Sequence, residues 1–311
     1  MTEKSGAARR TGDVRARLLK LAPWLAATPL AAAAVVLGFR AAVARAYRTD
    51  RGPHTTDPGA LGLTFETVRF PTAGDRRLHA WWIPAAPEAR NGGVVILLHG
   101  WNRNAERMLP FMPPLHEAGF DLLALDARCH GESECDGAAN MLKFSEDLRA
   151  AVGETVRRGA PPGRIGLLGH SVGGAAAIHA GAHDPRVGAV VSVAAFAHPG
   201  DMTRLDLARR RVPAPVARLI LHEVERTVGA PLDEIAPERH ASRTAGPLLI
   251  VHGERDAIVP FDHARRLAAA APDARRLVLP DRGHSDCDAD PAFWPAVLDH
   301  LLNALTAAGT G

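Results

Sequence analysis

The chain alternates short, wholly apolar runs with longer stretches whose apolar residues recur at helical spacing. Runs at 94–98, 121–125, 165–168, 187–194 and 248–251 are dominated by Val, Ile, Leu and Ala and end in glycine, aspartate, histidine or small residues. Runs of this kind read as strands buried on both faces. A further strand is expected at 276–279. Upstream, 63–70 and 78–83 alternate with period two, and Pro71-Thr72-Ala73-Gly74-Asp75 supplies the turn between them. Helices are expected over 144–158, 172–182, 263–271 and 293–305, and a proline-interrupted helical stretch ends near Ala118. Buried strands alternating with helices imply an α/β fold: a mostly parallel, eight-stranded sheet with helices on both faces.

The alternation breaks over 196–246. About fifty residues there separate two strands, with helical patches at 202–211 and 216–228 and scattered prolines. An insertion of that length reads as a small helical lid. The run Arg209-Arg210-Arg211 within it reads as a solvated helix face.

The first sixty residues differ in composition. Lys4, Arg9, Arg10, Arg15, Arg17 and Lys20 precede 21–39, a stretch without charge. Nineteen residues at 1.5 Å each span about 28 Å, close to the apolar thickness of a bilayer. The favoured reading is a single-pass membrane anchor followed by a linker to residue 61, with the domain at 62–306 on the outer side of the membrane. Cleavage as a signal peptide near Ala44-Arg45-Ala46 is the alternative. A soluble helix or tail is a third reading, since Pro23 and Pro29 interrupt the stretch.

Composition narrows the rest. With 47% hydrophobic residues in 311, the chain can bury one large core. A net charge of +3 shows no strong bias toward nucleic acid. No C-x-x-C pair or Cys/His spacing points to zinc, and no metal or cofactor is expected. Three cysteines, Cys129, Cys135 and Cys287, are too few for a disulfide framework. Cys129 and Cys135 would close a short loop in an oxidising compartment, and isolated thiols are the alternative.

The chemistry concentrates at strand ends. Gly169-His170-Ser171-Val172-Gly173 lies between a buried strand and a small-residue helix, the context a G-x-S-x-G turn requires. A serine there sits on a tight turn, and glycines two places either side remove Cβ atoms that would strike neighbouring backbone. A serine hydroxyl needs a base, and the base needs a group that fixes its tautomer. His252-Gly253-Glu254-Arg255-Asp256 and Gly283-His284 each follow a strand, and Asp256 and His284 are the candidates. Glu254 and Asp262 compete with Asp256. His170 and His252 are the competing histidines nearest the motifs. His99, His130, Asp126 and Arg128 read as braces of nearby turns.

The G-x-S-x-G elbow, the His99-Gly100 pair, the loop from Asp126 to Ser133, the turn from His252 to Asp256 and the late Gly283-His284 together resemble the α/β-hydrolase family. The likeness covers about residues 62–306. The N-terminal segment and the strand pair before His99 resemble its prolyl-oligopeptidase-like and Bem46-like serine hydrolases. The resemblance implies Ser171 as nucleophile, His284 as general base and acid, and Asp256 as orienting acid. It implies the backbone N–H groups of Trp101 and Val172 as oxyanion donors. The activity it implies is cleavage of small-molecule carboxylic esters through an acyl-enzyme. Acyl transfer, thioester cleavage and hydrolysis of small peptides or amides remain open, as does a non-enzymatic, membrane-tethered binding protein.

Overall fold

A computed structural model describes residues 31–46, 48–49 and 52–306. The chain divides into two compact units, 1–46 and 47–311. In the first, helix α1 covers the described residues 31–46. No helix among the described residues is long and apolar enough to cross a membrane. The span expected at 21–39 lies outside the described residues over 21–30. Its remainder, 31–39, belongs to α1, which runs on through Arg40 and Arg45.

The second unit holds an eight-stranded sheet in the order β1-β2-β4-β3-β5-β6-β7-β8. Its strands are β1 Glu66–Thr72, β2 Arg76–Ile83, β3 Val94–Leu98, β4 Asp121–Leu125, β5 Ile165–His170, β6 Val187–Val193, β7 Leu248–Gly253 and β8 Arg275–Leu279. β2 runs antiparallel to both β1 and β4, and every other pairing is parallel. Each residue of β3, β4, β5 and β7 is buried, which is why these strands read as unbroken apolar runs.

Helices cover both faces. The helices of the second unit are α2 Met112–Glu117, α3 Met141–Arg157, α4 Val172–His183, α5 Pro199–Arg209, α6 Ala214–Val228, α7 Pro237–His240, α8 Asp262–Ala270 and α9 Phe293–Leu305. Phe111, at the head of α2, packs edge-on against Phe293 of α9 with ring centroids 5.9 Å apart. α3 and α4 pack together and against the sheet. α3 starts three residues earlier than its apolar period suggests, because the Asn140 side chain accepts the Lys143 N–H and caps it. The stretch before Ala118 is a 3-10 turn, Ala105–Phe111, that passes into the short α2.

The insertion folds as α5, α6 and α7. Arg209 of α5 donates to the carbonyl of Ala257 at 2.8 Å, which ties the insertion to the turn after β7. Arg210 instead pairs with Asp206 one turn away on the exposed face of α5. Cys129 and Cys135 form a disulfide, and Cys287 is a buried free thiol.

Candidate active site

β5 lies at the centre of the sheet, with Gly169 opposite Leu98 of β3 and His170 opposite Val193 of β6. The chain then turns sharply into α4. Ser171 makes the turn with φ 58° and ψ −121°, a conformation that side-chain-bearing residues rarely adopt. Its N–H donates to the carbonyl of Val193 at 2.8 Å, which holds the strained residue in place. The flanking glycines are required by space. A Cβ on Gly169 would lie 2.2 Å from the Gly173 carbonyl oxygen, and one on Gly173 would lie 2.5 Å from those of Leu98 and His99.

The structure brings the three predicted side chains together. His284 Nε2 lies 3.0 Å from Ser171 Oγ, and His284 Nδ1 lies 2.7 Å from Asp256 Oδ2. Each comes from a loop at the carboxyl end of a strand: β5, β7 and β8. The other carboxylate oxygen, Asp256 Oδ1, accepts the N–H groups of Ile258 and Val259 at 2.8 Å each. Burial works to raise the Asp256 carboxyl. The His252 and His284 side chains and the Val259 N–H outweigh it, holding the carboxyl well below the ordinary range. Asp256 is therefore a fixed anion at neutral pH, and its geometry sets the His284 proton on Nδ1 and leaves a lone pair on Nε2 toward Ser171.

Val172 is the first residue of α4, and the Ala175 N–H donates to the Ser171 carbonyl at 3.0 Å across the first turn. Its amide thus belongs to the donors that a helix start leaves without intrahelical partners. The Gly100-Trp101 backbone passes against the serine, since a Cβ on Gly100 would lie 3.2 Å from Ser171 Cβ. The His130 ring shapes this loop by accepting the Asn102 N–H at 3.3 Å. Burial pushes His130 down to about 3, so it stays a neutral acceptor. His99 Nε2 accepts the Ala127 N–H at 3.1 Å.

Asp126 bonds to groups other than Ser171, His284 and Asp256. It accepts the Ala105 and Glu132 N–H groups at 2.8 and 2.9 Å, and it lies 3.1 Å from both His54 and His79. Arg128, buried, joins Asp147, Glu146 and Asp136. Both residues brace loops.

Two contacts were not singled out from the sequence. His170 Nε2 lies 2.7 Å from the His284 carbonyl oxygen. Arg107 donates to the carbonyl of Ser285 at 2.8 Å, a second clamp on the same loop. His170 was visible as the variable residue of the elbow, but its partner is 114 residues away. Cys287 lies near this loop too, and burial pushes its thiol up to about 12, which leaves it an inert thiol.

Comparison with known proteins gives the chain a family. Residues 89–228 match the family described as serine aminopeptidase, S33, and residues 227–310 match the family described as TAP-like protein. A monoacylglycerol lipase of Mycolicibacterium smegmatis is 31% identical over 234 residues, covering 64% of this chain and 83% of the lipase. Uncharacterized protein YfhR of Escherichia coli (strain K12) is 27% identical over 282 residues, covering 87% of this chain and 91% of that protein. Among solved structures, the Pyrococcus furiosus esterase Pf2001 superposes with a TM-score of 0.63 at 21% identity, over 82% of this chain and 98% of the esterase. The chain is a hydrolase of the α/β-hydrolase superfamily.

Proposed function

We propose that the protein is a serine hydrolase that cleaves carboxylic esters through an acyl-enzyme on Ser171. One observation carries the reading: His284 spans Ser171 Oγ at 3.0 Å and the buried Asp256 at 2.7 Å. Ser171 attacks the ester carbonyl while His284 Nε2 takes its proton. The N–H groups of Val172 and Trp101 hold the oxyanion, and the start of α4 adds its dipole. The imidazolium returns the proton to the leaving alkoxide. Water then adds to the acyl-enzyme by the same steps and releases the acid. Asp256 stabilises the imidazolium throughout and keeps its own charge.

A second reading, hydrolysis of small peptides or amides with the same residues, is favoured by the serine aminopeptidase description of residues 89–228. A panel of p-nitrophenyl esters of graded chain length beside aminoacyl p-nitroanilides decides between them. Faster turnover of the anilides overturns the ester reading. Labelling with a fluorophosphonate probe tests both readings. An adduct is expected on the wild type and none on Ser171→Ala, and equal labelling of the two would remove Ser171 from the mechanism.

The same reading includes a domain working outside the reducing cytoplasm and tethered through its N-terminal segment. The Cys129–Cys135 disulfide supports the compartment. Thiol alkylation of unreduced protein from its native cells is expected to modify one cysteine of three under denaturing conditions.

A further inference from the structure

The far end of α4 gathers a second set of chemical groups that the hydrolytic reading does not use. His179 and His183 stand one turn apart on α4, and His240 reaches them from α7 at the end of the insertion. Ring nitrogens of the three residues lie within 4.8 Å of one another. The ring centroids are 4.3 Å apart for His179 and His183, 4.6 Å for His179 and His240, and 4.9 Å for His183 and His240.

Each ring has one nitrogen already engaged. His183 Nδ1 donates to the His179 carbonyl at 2.7 Å, and His240 Nε2 donates to the Glu234 carbonyl at 2.8 Å. A carbonyl can only accept, so these tautomers keep a lone pair on His183 Nε2 and on His240 Nδ1. His179 Nδ1 lies 2.8 Å from the Ser145 hydroxyl, which can accept its proton and leave a lone pair on Nε2. A histidine whose second nitrogen donates to a carbonyl or hydroxyl has the support that metal ligands use.

A cation already meets one of these lone pairs. An Arg243 guanidinium nitrogen lies 2.7 Å from His240 Nδ1. Arg243 and His183 are both exposed, so the arginine has room to leave and the cluster opens to solvent. Arg149 and Arg239 add positive charge nearby, which opposes a metal ion without occupying its place. Three imidazoles with no carboxylate suit a borderline transition ion and not magnesium or calcium. The last turn of α4 also presents the carbonyl end of its dipole, which favours positive charge.

We propose that His179, His183 and His240 form a binding site for a divalent transition-metal ion of the zinc class, with Arg243 as an internal cation that the ion displaces. Metal–nitrogen bonds of about 2.0 Å in a tetrahedron bring the nitrogens to roughly 3.3 Å from one another, and the exposed His183 supplies the movement. The bound ion fastens α7, and with it the end of the insertion, to α4.

The test uses chelator-treated protein carrying no histidine tag, titrated with Zn²⁺ by calorimetry and with Co²⁺ by its visible absorption. One ion per chain is expected. His183→Ala should weaken binding by roughly tenfold or more, and Arg243→Ala should tighten it by roughly tenfold through loss of one opposing charge. Zn²⁺ should raise the melting temperature of the wild type by more than that of His183→Ala at the same concentration. Both substitutions fall on exposed side chains, and circular dichroism checks their folding. Failure of the wild type and of Arg243→Ala to bind one equivalent overturns the proposal. So does equal binding by His183→Ala, which would move the ion to another cluster such as His54, His79 and Asp126.

Discussion

His170 donates its Nε2–H to the carbonyl oxygen of His284 at 2.7 Å, so the residue beside the serine holds the backbone of the histidine that faces it. The His284 ring returns to Ser171 at 3.0 Å and closes a loop of contacts across the site. Burial pushes His170 down to about 3, so this donor stays neutral at any working pH. His170→Ala removes the donor and leaves Ser171, His284 and Asp256 in the chain. We expect kcat to fall roughly 10- to 100-fold with KM little changed, the mark of lost positioning. Steady-state kinetics on a p-nitrophenyl ester, with fluorophosphonate labelling to confirm that Ser171 still reacts, measures it. An unchanged kcat would show that Arg107 alone suffices to hold the loop.

Asp256→Asn is expected to lower kcat by about 10⁴. Asp256 Oδ1 accepts two backbone N–H groups, so an asparagine must turn its carbonyl oxygen toward Ile258 and Val259. Its NH₂ then meets His284 Nδ1 and forces the proton to Nε2, where Ser171 needs a lone pair. Activity within tenfold of wild type would contradict the assignment of the orienting acid.

Gly169→Ala and Gly173→Ala each place a Cβ inside the contact distance of backbone carbonyl oxygens, at 2.2 and 2.5 Å. Neither β5 nor α4 can retreat, because both are buried against neighbours. A loss of about 3 kcal/mol is expected for each, read as a lower urea midpoint. A midpoint within experimental scatter of wild type would mean that the elbow tolerates a methyl group.

Acid should destabilise the fold well above the range in which carboxylates titrate. His130, His170 and His179 are each held to about 3 in the folded protein, with burial the leading cause. Their unfolded value is about 6.5, so between pH 6.5 and 3 the unfolded chain binds more protons. Stability must then fall as pH drops through that window, on the order of 1 kcal/mol per histidine per pH unit. Asp256 and Asp126, both depressed, add losses of the same sign below the ordinary carboxylate range. His54, whose folded value is raised, contributes with the opposite sign, since its stabilisation is lost as pH rises. Urea midpoints at pH 7.5, 6 and 5 measure the balance, and a flat series would refute it.

Reduction of Cys129–Cys135 opens a loop whose cysteines are six residues apart. Loop-closure entropy for so short a ring is about 2 kcal/mol. The double substitution Cys129→Ser, Cys135→Ser should lower the melting temperature by several degrees. Unchanged melting would show that Arg128 and its carboxylate partners hold the loop without the bond.

The sequence by itself located the buried strands, because their signals are local, while the first strand, expected at 63–70, lies at Glu66–Thr72 and takes in Pro71 and Thr72 of the expected turn. β4 at Asp121–Leu125 and α9 at Phe293–Leu305 fall where the apolar pattern puts them. The elbow was equally legible, since its glycines answer to atoms within a few residues or on the adjacent strand. The candidates Asp256 and His284 were legible as residues that follow strands, while the geometry that joins them to Ser171 was not. Tertiary structure alone decided which oxygen of Asp256 meets His284 and that His170 secures the His284 backbone. It also paired Cys129 with Cys135, which the spacing left open. The cluster of His179, His183 and His240 shows the same division: a helix turn joins the first two, but the third arrives only when the insertion folds back on α4. Periodicity along a chain reports burial and little else, and side-chain chemistry between distant loops is set by the packing that brings them to one edge of the sheet.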